Sequence, residues 1–365
     1  MKQVLIARLD SAGDVLLSGP AVRAVAQHPA EVTYLCSPQG RAAAQSLPGV
    51  SEIFTWASPW ITAPAPAATP GHLESLTSFL ADRHFDEAII LTSFHQSPLP
   101  LALLLRLAGC PRITGASVDF AGSLLDVRLK PGEDFPEDQP EAVRALQIAE
   151  AAGYALPAED GGALAVRRPP DVTDLVGEEP YVVVHPGAAV PARAWPPLHH
   201  AALVELLAGI SRRVVVTGGP AERQLTATVA GVDGIDLGGR TDFRTLAGVL
   251  QQADVVVTGN TGPAHLAAAV GTPVVSLFSP VVPAIRWAPY KVPVELLGDQ
   301  FAPCRLTRAR DCPVPGHPCL ADVAPEEVLA AIHRLEARVH PPPPRLHAVN
   351  AATASGDDLD EGNSL

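Results

Sequence analysis

The segment from Thr258 to Leu266 has the residue types that point most directly to a ligand. It reads Thr-Gly-Asn-Thr-Gly-Pro-Ala-His-Leu and lies between the apolar run 254–257 and the small apolar residues 266–270. The first run is typical of a buried parallel strand and the second of a helix. The free amides and positive dipole end of a helix N-terminus suit a phosphate, to which His265 can add a hydrogen bond or a charge. The alternative is an ordinary turn with a structural histidine.

A second candidate follows the first predicted strand. The residues Arg-Leu-Asp-Ser-Ala-Gly-Asp occupy positions 8–14, and a helical pattern begins at Val15. Gly13 permits a close backbone approach, and Asp14 is placed at the helix start. Asp14 can cap the helix, which contributes ~1 kcal/mol, or it can act as a general base that deprotonates an acceptor hydroxyl. The segment is not a dinucleotide-binding GxGxxG motif, because the second and third glycines are missing.

The elements that must position these residues alternate between strand and helix in both halves of the chain. Such alternation predicts an α/β fold with parallel sheets. In the first half we predict strands at 4–7, 32–36, 51–55 and 87–91 and helices at 15–28, 101–107 and 141–152. In the second half we predict strands at 181–185, 213–217, 254–257 and 273–277 and helices at 198–207, 221–229, 243–251 and 322–337.

The division between the halves is marked by composition. Residues 129–140 are polar and contain three prolines, and residues 158–180 are rich in glycine and proline, as in a linker. We therefore predict one domain at 1–157, a second at 158–338, and a disordered tail at 339–365 that begins near a run of four prolines. A ligand site is expected in the cleft between the domains.

The bulk composition limits the classes of function. The 365 residues carry a net charge of −13, which argues against nonspecific binding to nucleic acid. The N-terminus leads directly into a strand without a signal-peptide pattern, and no apolar run approaches the ~20 residues of a membrane span. Five cysteines, an odd number, fit a reducing cytoplasm better than a disulfide framework. Cys304, Cys312, Cys319 and His317 offer soft ligands for zinc, but their spacing departs from the usual CxxC pairs, so we expect no metal site.

Taken in order, the motifs resemble glycosyltransferase family 9, the bacterial heptosyltransferases that use ADP-heptose. The resemblance covers the chain from Val4 to about Leu335. It rests on five motifs in order. The first is 8–14, followed by Gly-Pro-Ala-Val-Arg at 19–23, and the second is His-Pro-Gly-Ala at 185–188, followed by Arg-Ala-Trp-Pro at 193–196. The others are Gly-Gly-Pro-Ala-Glu at 218–222, Leu-Gly-Gly-Arg-Thr at 237–241, and Gly-Asn-Thr-Gly-Pro-Ala-His-Leu at 259–266, followed by Phe-Ser-Pro at 278–280 and Trp-Ala-Pro at 287–289.

The resemblance implies a GT-B architecture, in which two Rossmann-like domains with parallel sheets face each other across a cleft. It implies that the first domain binds the acceptor and the second binds the nucleotide sugar, in an inverting transfer without a metal or other cofactor. Asp14 matches the proposed catalytic aspartate, with Arg8, Ser11 and Gly13 on the acceptor side. The matching donor and phosphate positions are Gly187, Arg193, Gly218, Glu222, Asn260, Thr261, Gly262 and His265.

Three departures limit what the resemblance implies. Arg193 stands where the family usually has lysine, which keeps the charge and adds bidentate binding. Asn260 stands where the family often has aspartate, and the segment 139–146 lacks a histidine that often opens the corresponding helix. Acceptor identity therefore does not transfer.

Other functions stay open at this point. The partners expected are a nucleotide-sugar donor and a glycan or glycolipid acceptor, with peripheral association at the inner face of the cytoplasmic membrane as an option. The alternatives are a GT-B transferase that uses another nucleotide sugar for a secondary metabolite, a UDP-sugar epimerase of similar shape, and a non-catalytic sugar-nucleotide-binding protein.

Overall fold

The computed structural model describes residues 1–339 as two α/β domains, each built on a six-stranded parallel sheet. The strands of the first domain are β1 (Lys2–Arg8), β2 (Ala30–Cys36), β3 (Glu52–Thr55), β4 (Glu87–Ile90), β5 (Ile113–Ala116) and β6 (Val127–Leu129). Its helices are α1 (Ala12–Leu17), α2 (Gly19–Ala26), α3 (Arg41–Ser46), α4 (Pro70–Arg83), α5 (Leu99–Leu107) and α6 (Glu141–Ala151).

The second domain repeats this plan. Its strands are β7 (Tyr181–His185), β8 (Arg213–Val216), β9 (Ile235–Asp236), β10 (Val255–Gly259), β11 (Val274–Leu277) and β12 (Val294–Leu297). Its helices are α7 (Thr173–Val176), α8 (Pro197–Gly209), α9 (Arg223–Ala230), α10 (Phe243–Gln251), α11 (Gly262–Val270), α12 (Ala284–Trp287), α13 (Pro318–Ala321) and α14 (Pro325–Val339). Single 3₁₀ turns lie at Pro38–Gly40, Pro191–Arg193 and Pro220–Glu222.

The strand order is the same in the two sheets. The first runs β3-β2-β1-β4-β5-β6 and the second runs β9-β8-β7-β10-β11-β12, with every neighbouring pair parallel. In each sheet the order reverses between two central strands, β1 and β4 in the first and β7 and β10 in the second. Ligands of open α/β sheets bind at this reversal, outside the carboxyl ends of the strands. The fold therefore confirms the GT-B architecture predicted from the sequence.

Several local predictions were incomplete. The helix predicted at 15–28 is broken at Ser18 into α1 and α2, where the Ser18 hydroxyl donates to the carbonyl of Val15 at 2.6 Å. The strands β5, β6, β9 and β12 and the helices α3, α4, α7, α12 and α13 had no counterpart in the prediction. The β-strands among them are two to four residues long, which is too short for a periodic signal.

The segment predicted as a linker, 158–180, is packed rather than extended. Leu164, Val172 and Val176 are buried in the same apolar cluster as the inner strands of both domains. The division at 157 and 158 stays a prediction. The tail predicted at 339–365 lies outside the described residues except for Val339, which ends helix α14. None of the helices within residues 1–339 has the length and apolar character needed to span a membrane.

Candidate active site

A cavity of about 530 Å³ lies between the two domains, at the strand reversals of both sheets. One wall comes from segments that follow β1, β2, β3 and β4, and the other comes from segments that follow β7, β10, β11 and β12. The wall of the first domain includes Asp10, Ser11, Ala12, Gly13, Asp14, Gln39, Ile61, Ser93, His95 and Gln96. The wall of the second domain includes Ala189, Arg193, Asn260, Thr261, Gly262, His265, Val282, Trp287 and Arg308.

Asp14 is held by three side chains. Its Oδ1 accepts from Arg8 Nη2 at 3.1 Å and from Trp287 Nε1 at 3.2 Å, and its Oδ2 accepts from the Ser11 hydroxyl at 2.8 Å. The carboxylate makes no hydrogen bond to a backbone amide of α1 within residues 1–339. The arrangement is that of an oriented carboxylate in a cavity rather than that of a helix cap.

These contacts determine the charge of Asp14. Burial alone would raise its pKa, but the Arg8 guanidinium and the hydrogen bonds from Ser11 and Trp287 outweigh that effect and lower the pKa below its ordinary value. Asp14 is therefore ionised in neutral solution. An ionised carboxylate that lines the cavity is able to accept a proton from a bound hydroxyl.

Arg8 lies beneath the site and does not line the cavity. It is buried and ion-paired to Asp10 at 2.8 Å, to Asp14 at 3.1 Å and to Glu141 at 3.3 Å. Burial raises the pKa of Asp10 to about 6, despite the opposing effect of Arg8. Burial likewise raises the pKa of Glu141. The predicted acceptor-side residue Arg8 is therefore a support for Asp14, and Asp10 and Glu141 are parts of the site that sequence reasoning missed.

The turn after β10 is built as predicted. Thr261 precedes α11, Gly262 opens it, and both residues line the cavity at the N-terminus of that helix. Asn260 is 5% exposed, and among the described residues neither its amide nitrogen nor its oxygen has a hydrogen-bond partner. Buried polar atoms without a partner are costly, so these atoms indicate a polar ligand. Burial lowers the pKa of His265 to about 4 despite the opposing effect of Asp14, so this ring is neutral near pH 7.

Gly13 and His265 bring the two domains into contact at the floor of the cavity. A Cβ atom on Gly13 would lie 2.8 Å from Cδ2 of His265 and 3.4 Å from the Cα of Gly262. Only glycine fits this approach, which sets the N-terminal turn of α1 against that of α11. Gly13 does not have a positive φ, so the close approach of the two helices, rather than the backbone conformation, explains the glycine at this position.

Two arginines supply positive charge to the wall of the second domain. Arg193 ends the 3₁₀ turn after β7, and its Nε is buried without a hydrogen-bond partner among the described residues. Burial lowers the pKa of Arg193, the Asp14 carboxylate opposes this effect, and the nearby Arg308 and Arg310 lower the pKa further. Arg308, which sequence reasoning missed, also lines the cavity. Paired guanidinium groups on one wall are suited to a diphosphate.

Three predicted donor residues, Gly187, Gly218 and Glu222, lie together outside the cavity. The Glu222 carboxylate accepts from the Gly219 amide at 2.7 Å. A Cβ on Gly187 would lie 2.1 Å from Glu222 Oε1, and one on Gly218 would lie 3.2 Å from Glu222 Oε2. The glycines at the ends of β7 and β8 therefore leave room for the Glu222 carboxylate, in a slot beside the second domain's wall.

A contact across the cleft was also not predicted. Arg286 stacks its guanidinium 3.9 Å from the ring centre of Phe94 and donates to Glu137 and Asp138 at 3.2 Å each. Phe94 also lies 5.8 Å from Trp287, between ring centres. The sequence signal was the Trp-Ala-Pro segment at 287–289, which we assigned to the family without giving Trp287 a role.

The cysteine group does not form a metal centre in the structure. Cys304 and Cys319 are buried in the apolar core of the second domain, and Cys312 packs against that core. Across residues 1–339, no three histidine, cysteine or acidic side chains come together in an arrangement that could hold a metal. The absence of a metal requirement stays a prediction.

Comparison with known proteins identifies the family of the chain. The profile of "Glycosyltransferase family 9 (heptosyltransferase)" matches residues 74–316, about two thirds of the chain. The chain belongs to glycosyltransferase family 9. The five ordered motifs, the two matching sheets and the facing walls of the cavity agree with this assignment, which confirms the resemblance read from the sequence.

Individual relatives are similar over part of the chain. The lipooligosaccharide heptosyltransferase 2 of Haemophilus influenzae is 30% identical over 181 residues, which is 46% of this chain and 50% of that protein. The lipopolysaccharide heptosyltransferase 3 of Escherichia coli is 30% identical over 116 residues, covering 30% of this chain and 34% of that protein. The chain thus spans half or less of the length of these curated relatives.

The fold is similar over nearly the whole chain. The structure of E. coli ADP-heptose LPS heptosyltransferase II has a TM-score of 0.69 at 21% identity, covering 93% of this chain and 99% of that one. The E. coli heptosyltransferase WaaC with ADP-2-deoxy-2-fluoro heptose has a TM-score of 0.67 at 20% identity, covering 91% and 99%. At these identities the likeness shows the fold alone.

Proposed function

We propose that this protein is an inverting, metal-independent glycosyltransferase that moves heptose from ADP-heptose to a hydroxyl of a glycan or glycolipid. One observation carries the proposal. An ionised carboxylate, Asp14, stands on one wall of the cavity opposite a wall that contains Arg193 and the N-terminus of α11. The names of the relatives and of the matching structures support heptose as the sugar of the donor and ADP as its nucleotide.

Asp14 would act as the general base. The acceptor's O–H donates to Oδ2, its oxygen bonds to the anomeric carbon of the donor, and its proton passes to Asp14. The bond between that carbon and the diphosphate oxygen breaks at the same time, and ADP leaves with the electron pair. Because acceptor and leaving group lie on opposite walls, the configuration at the anomeric carbon inverts.

The wall of the second domain would stabilise the leaving diphosphate. Arg193, Arg308, the Asn260 amide and the Gly262 amide at the start of α11 are donors of residues that line the cavity. Fixed donors at a developing charge are worth ~3–4 kcal/mol each in related sites. The carboxylates that line the cavity, Asp10 and Asp14, both belong to the other wall. The diphosphate wall thus offers cations rather than the oxygen ligands that Mg²⁺ prefers, which supports transfer without a metal.

The slot formed by Gly187, Gly218 and Glu222 would hold the nucleoside. The slot follows β7 and β8, so it is adjacent to the diphosphate wall. The Oε2 atom of Glu222 accepts from the Gly219 amide, whereas Oε1 has no hydrogen-bond donor among the described residues. A ribose hydroxyl is a suitable donor to Oε1. A nucleotide whose base does not fit this slot would bind less tightly than ADP.

The proposal includes a location. All five cysteines lie in the described part as free thiols, which favours the cytoplasm. A glycolipid acceptor would bring the first domain to the inner face of the cytoplasmic membrane. Leu103, Leu107 and Phe120 of that domain expose 49%, 72% and 85% of their surface, which supports peripheral contact with lipid.

The test is calorimetry with ADP, UDP, GDP and dTDP, followed by ADP-heptose in buffer that contains EDTA. We expect selective binding of ADP and of ADP-heptose without added metal. A preference for UDP or dTDP would overturn the donor but keep a GT-B transferase. Binding of none of the nucleotides would overturn the enzyme proposal, and binding that needs added Mg²⁺ would overturn metal independence.

A further inference from the structure

The charges of the central cavity are divided between its two walls. Its arginines, Arg193 and Arg308, come from the second domain. The wall of the first domain contributes the carboxylates of Asp10 and Asp14, and within residues 1–339 no lysine or arginine of that domain lines the cavity. An acceptor on this wall therefore meets negative charge and neutral polar groups.

Arg8 does not change this balance. Its guanidinium is 2% exposed and contacts three carboxylates, those of Asp10, Asp14 and Glu141, while the Ser93 hydroxyl accepts from it at 2.7 Å. The positive charge of Arg8 is paired with three acidic groups, so the guanidinium is not available to bind a ligand. An anion placed in the cavity beside Asp14 would be repelled rather than bound.

The remaining ionisable group on this wall is His95. Burial, with help from Arg308 and Arg8, lowers the pKa of His95 to about 4. The ring is therefore neutral near pH 7 and offers a hydrogen bond rather than a charge. Gln39 is exposed at the same wall, and the Gln96 amide nitrogen donates to Asp10, so the polar groups near Asp14 are amides, hydroxyls and an uncharged imidazole.

We propose that the acceptor unit that binds beside Asp14 is an uncharged sugar, with no carboxylate or phosphate near the accepting hydroxyl. This inference rests on the proposed function and names the substrate class of the same site. Amide and hydroxyl side chains are suited to sugar hydroxyls, each of which both donates and accepts. Recognition of an acidic sugar would instead need a guanidinium or ammonium group on this wall.

Arg308 is the group that could serve an acidic acceptor, because it lines the same cavity as His95 of the first domain. We assign it to the donor, since it shares a wall with Arg193. The two assignments differ in measurable terms. In the Arg308→Gln variant we expect weaker binding of ADP and unchanged binding of the acceptor sugar.

The experiment uses ligand-observed saturation-transfer NMR on the full chain loaded with ADP. The probes are neutral methyl hexosides and heptosides, each paired with its uronate and its 6- or 7-phosphate. We expect the neutral member of a pair to bind at least tenfold more tightly than either anion. Preference for an anion overturns the proposal, and so does failure of every neutral member to bind. An acceptor whose binding falls in Arg308→Gln overturns the assignment of that residue.

A charge placed on the wall sharpens the test. In Gln39→Lys we expect the preference for the neutral sugar to fall at least threefold, because the new ammonium group lies on the acceptor wall. Gln45→Lys is the matched control, since Gln45 is exposed in α3 of the same domain and does not line the cavity. Equal effects of the two changes would overturn the placement of the acceptor. Selective ADP binding in all variants would show that the donor proposal stands independently of the outcome.

Discussion

The indole nitrogen of Trp287 donates a hydrogen bond to Asp14 Oδ1 at 3.2 Å, although the two residues are 273 positions apart and belong to different domains. The bond fixes one oxygen of the carboxylate from across the cleft. Arg8 reaches the same oxygen from below, so Oδ2 is left for the acceptor and the Ser11 hydroxyl. The orientation of the proposed base therefore depends on the second domain being in place.

Trp287→Phe should lower kcat about tenfold while the Kd for ADP changes less than twofold. A hydrogen bond to a charged group contributes ~1.5–3 kcal/mol, and its loss removes one of the effects that lower the pKa of Asp14. The acidic limb of the pH–rate profile should therefore move to higher pH. Trp56→Phe is the control, because the Trp56 indole donates to the carbonyl of His72 at 3.1 Å and does not contact Asp14. An unmoved acidic limb would show that Trp287 has only a structural role.

Asp14→Asn should reduce turnover ~10²–10⁴-fold, the usual contribution of a general base, with ADP affinity nearly intact. The amide keeps the shape of the side chain but cannot take the acceptor proton. Initial rates of ADP release and calorimetry with ADP measure the two effects separately. Parallel loss of turnover, ADP binding and thermal stability would instead indicate that Asp14 supports the helix and the Arg8 network.

Arg193→Gln should lower kcat ~10²–10³-fold, as expected for the loss of a donor to a developing negative charge. The effect should exceed the loss in ADP affinity, because the leaving diphosphate carries more charge in the transition state than in the donor. Arg193→Lys keeps the positive charge and should retain most of the activity. If the lysine variant is as slow as the glutamine variant, the fork geometry of arginine is required.

The sequence was informative wherever a residue's role is local. The turn after β10, the loop after β1 and the alternation of strands and helices were all predicted, and the family assignment followed from motif order. The long-range partners were not predictable, because Trp287 reaches Asp14 and Glu141 reaches Arg8 through tertiary packing, and neither carries a periodic signal of its own. The slot around Glu222 was likewise not predictable from the sequence, since only the structure shows which glycines make room for a carboxylate.

Gly13→Ala should abolish most activity and lower stability by ~1–3 kcal/mol, the usual cost of overpacking a tight contact. The added methyl group would lie 2.8 Å from the buried His265 ring, so we expect the ring or the start of α1 to shift and to displace the adjacent Asp14. Gly71→Ala is the control, because nothing lies within 4 Å of a Cβ added there. Chemical denaturation and ADP-release rates check both variants. Normal activity in Gly13→Ala would show that the two helices do not need to stay in contact.

His200 should make stability depend on pH. Its ring is 2% exposed in α8 against Trp195, and burial lowers its pKa to about 3, compared with 6.5 in the unfolded chain. Below pH 6.5 the unfolded chain takes up a proton that the folded protein excludes, so the free energy of unfolding falls as the pH falls.

The acids Asp10 and Glu141, whose pKa values are raised, act in the opposite direction, so the contribution of His200 must be obtained by difference. Between pH 7.5 and pH 5.5, wild type should lose ~1 kcal/mol more than His200→Gln in urea denaturation. Parallel pH dependence in the two proteins would mean that His200 becomes protonated without unfolding.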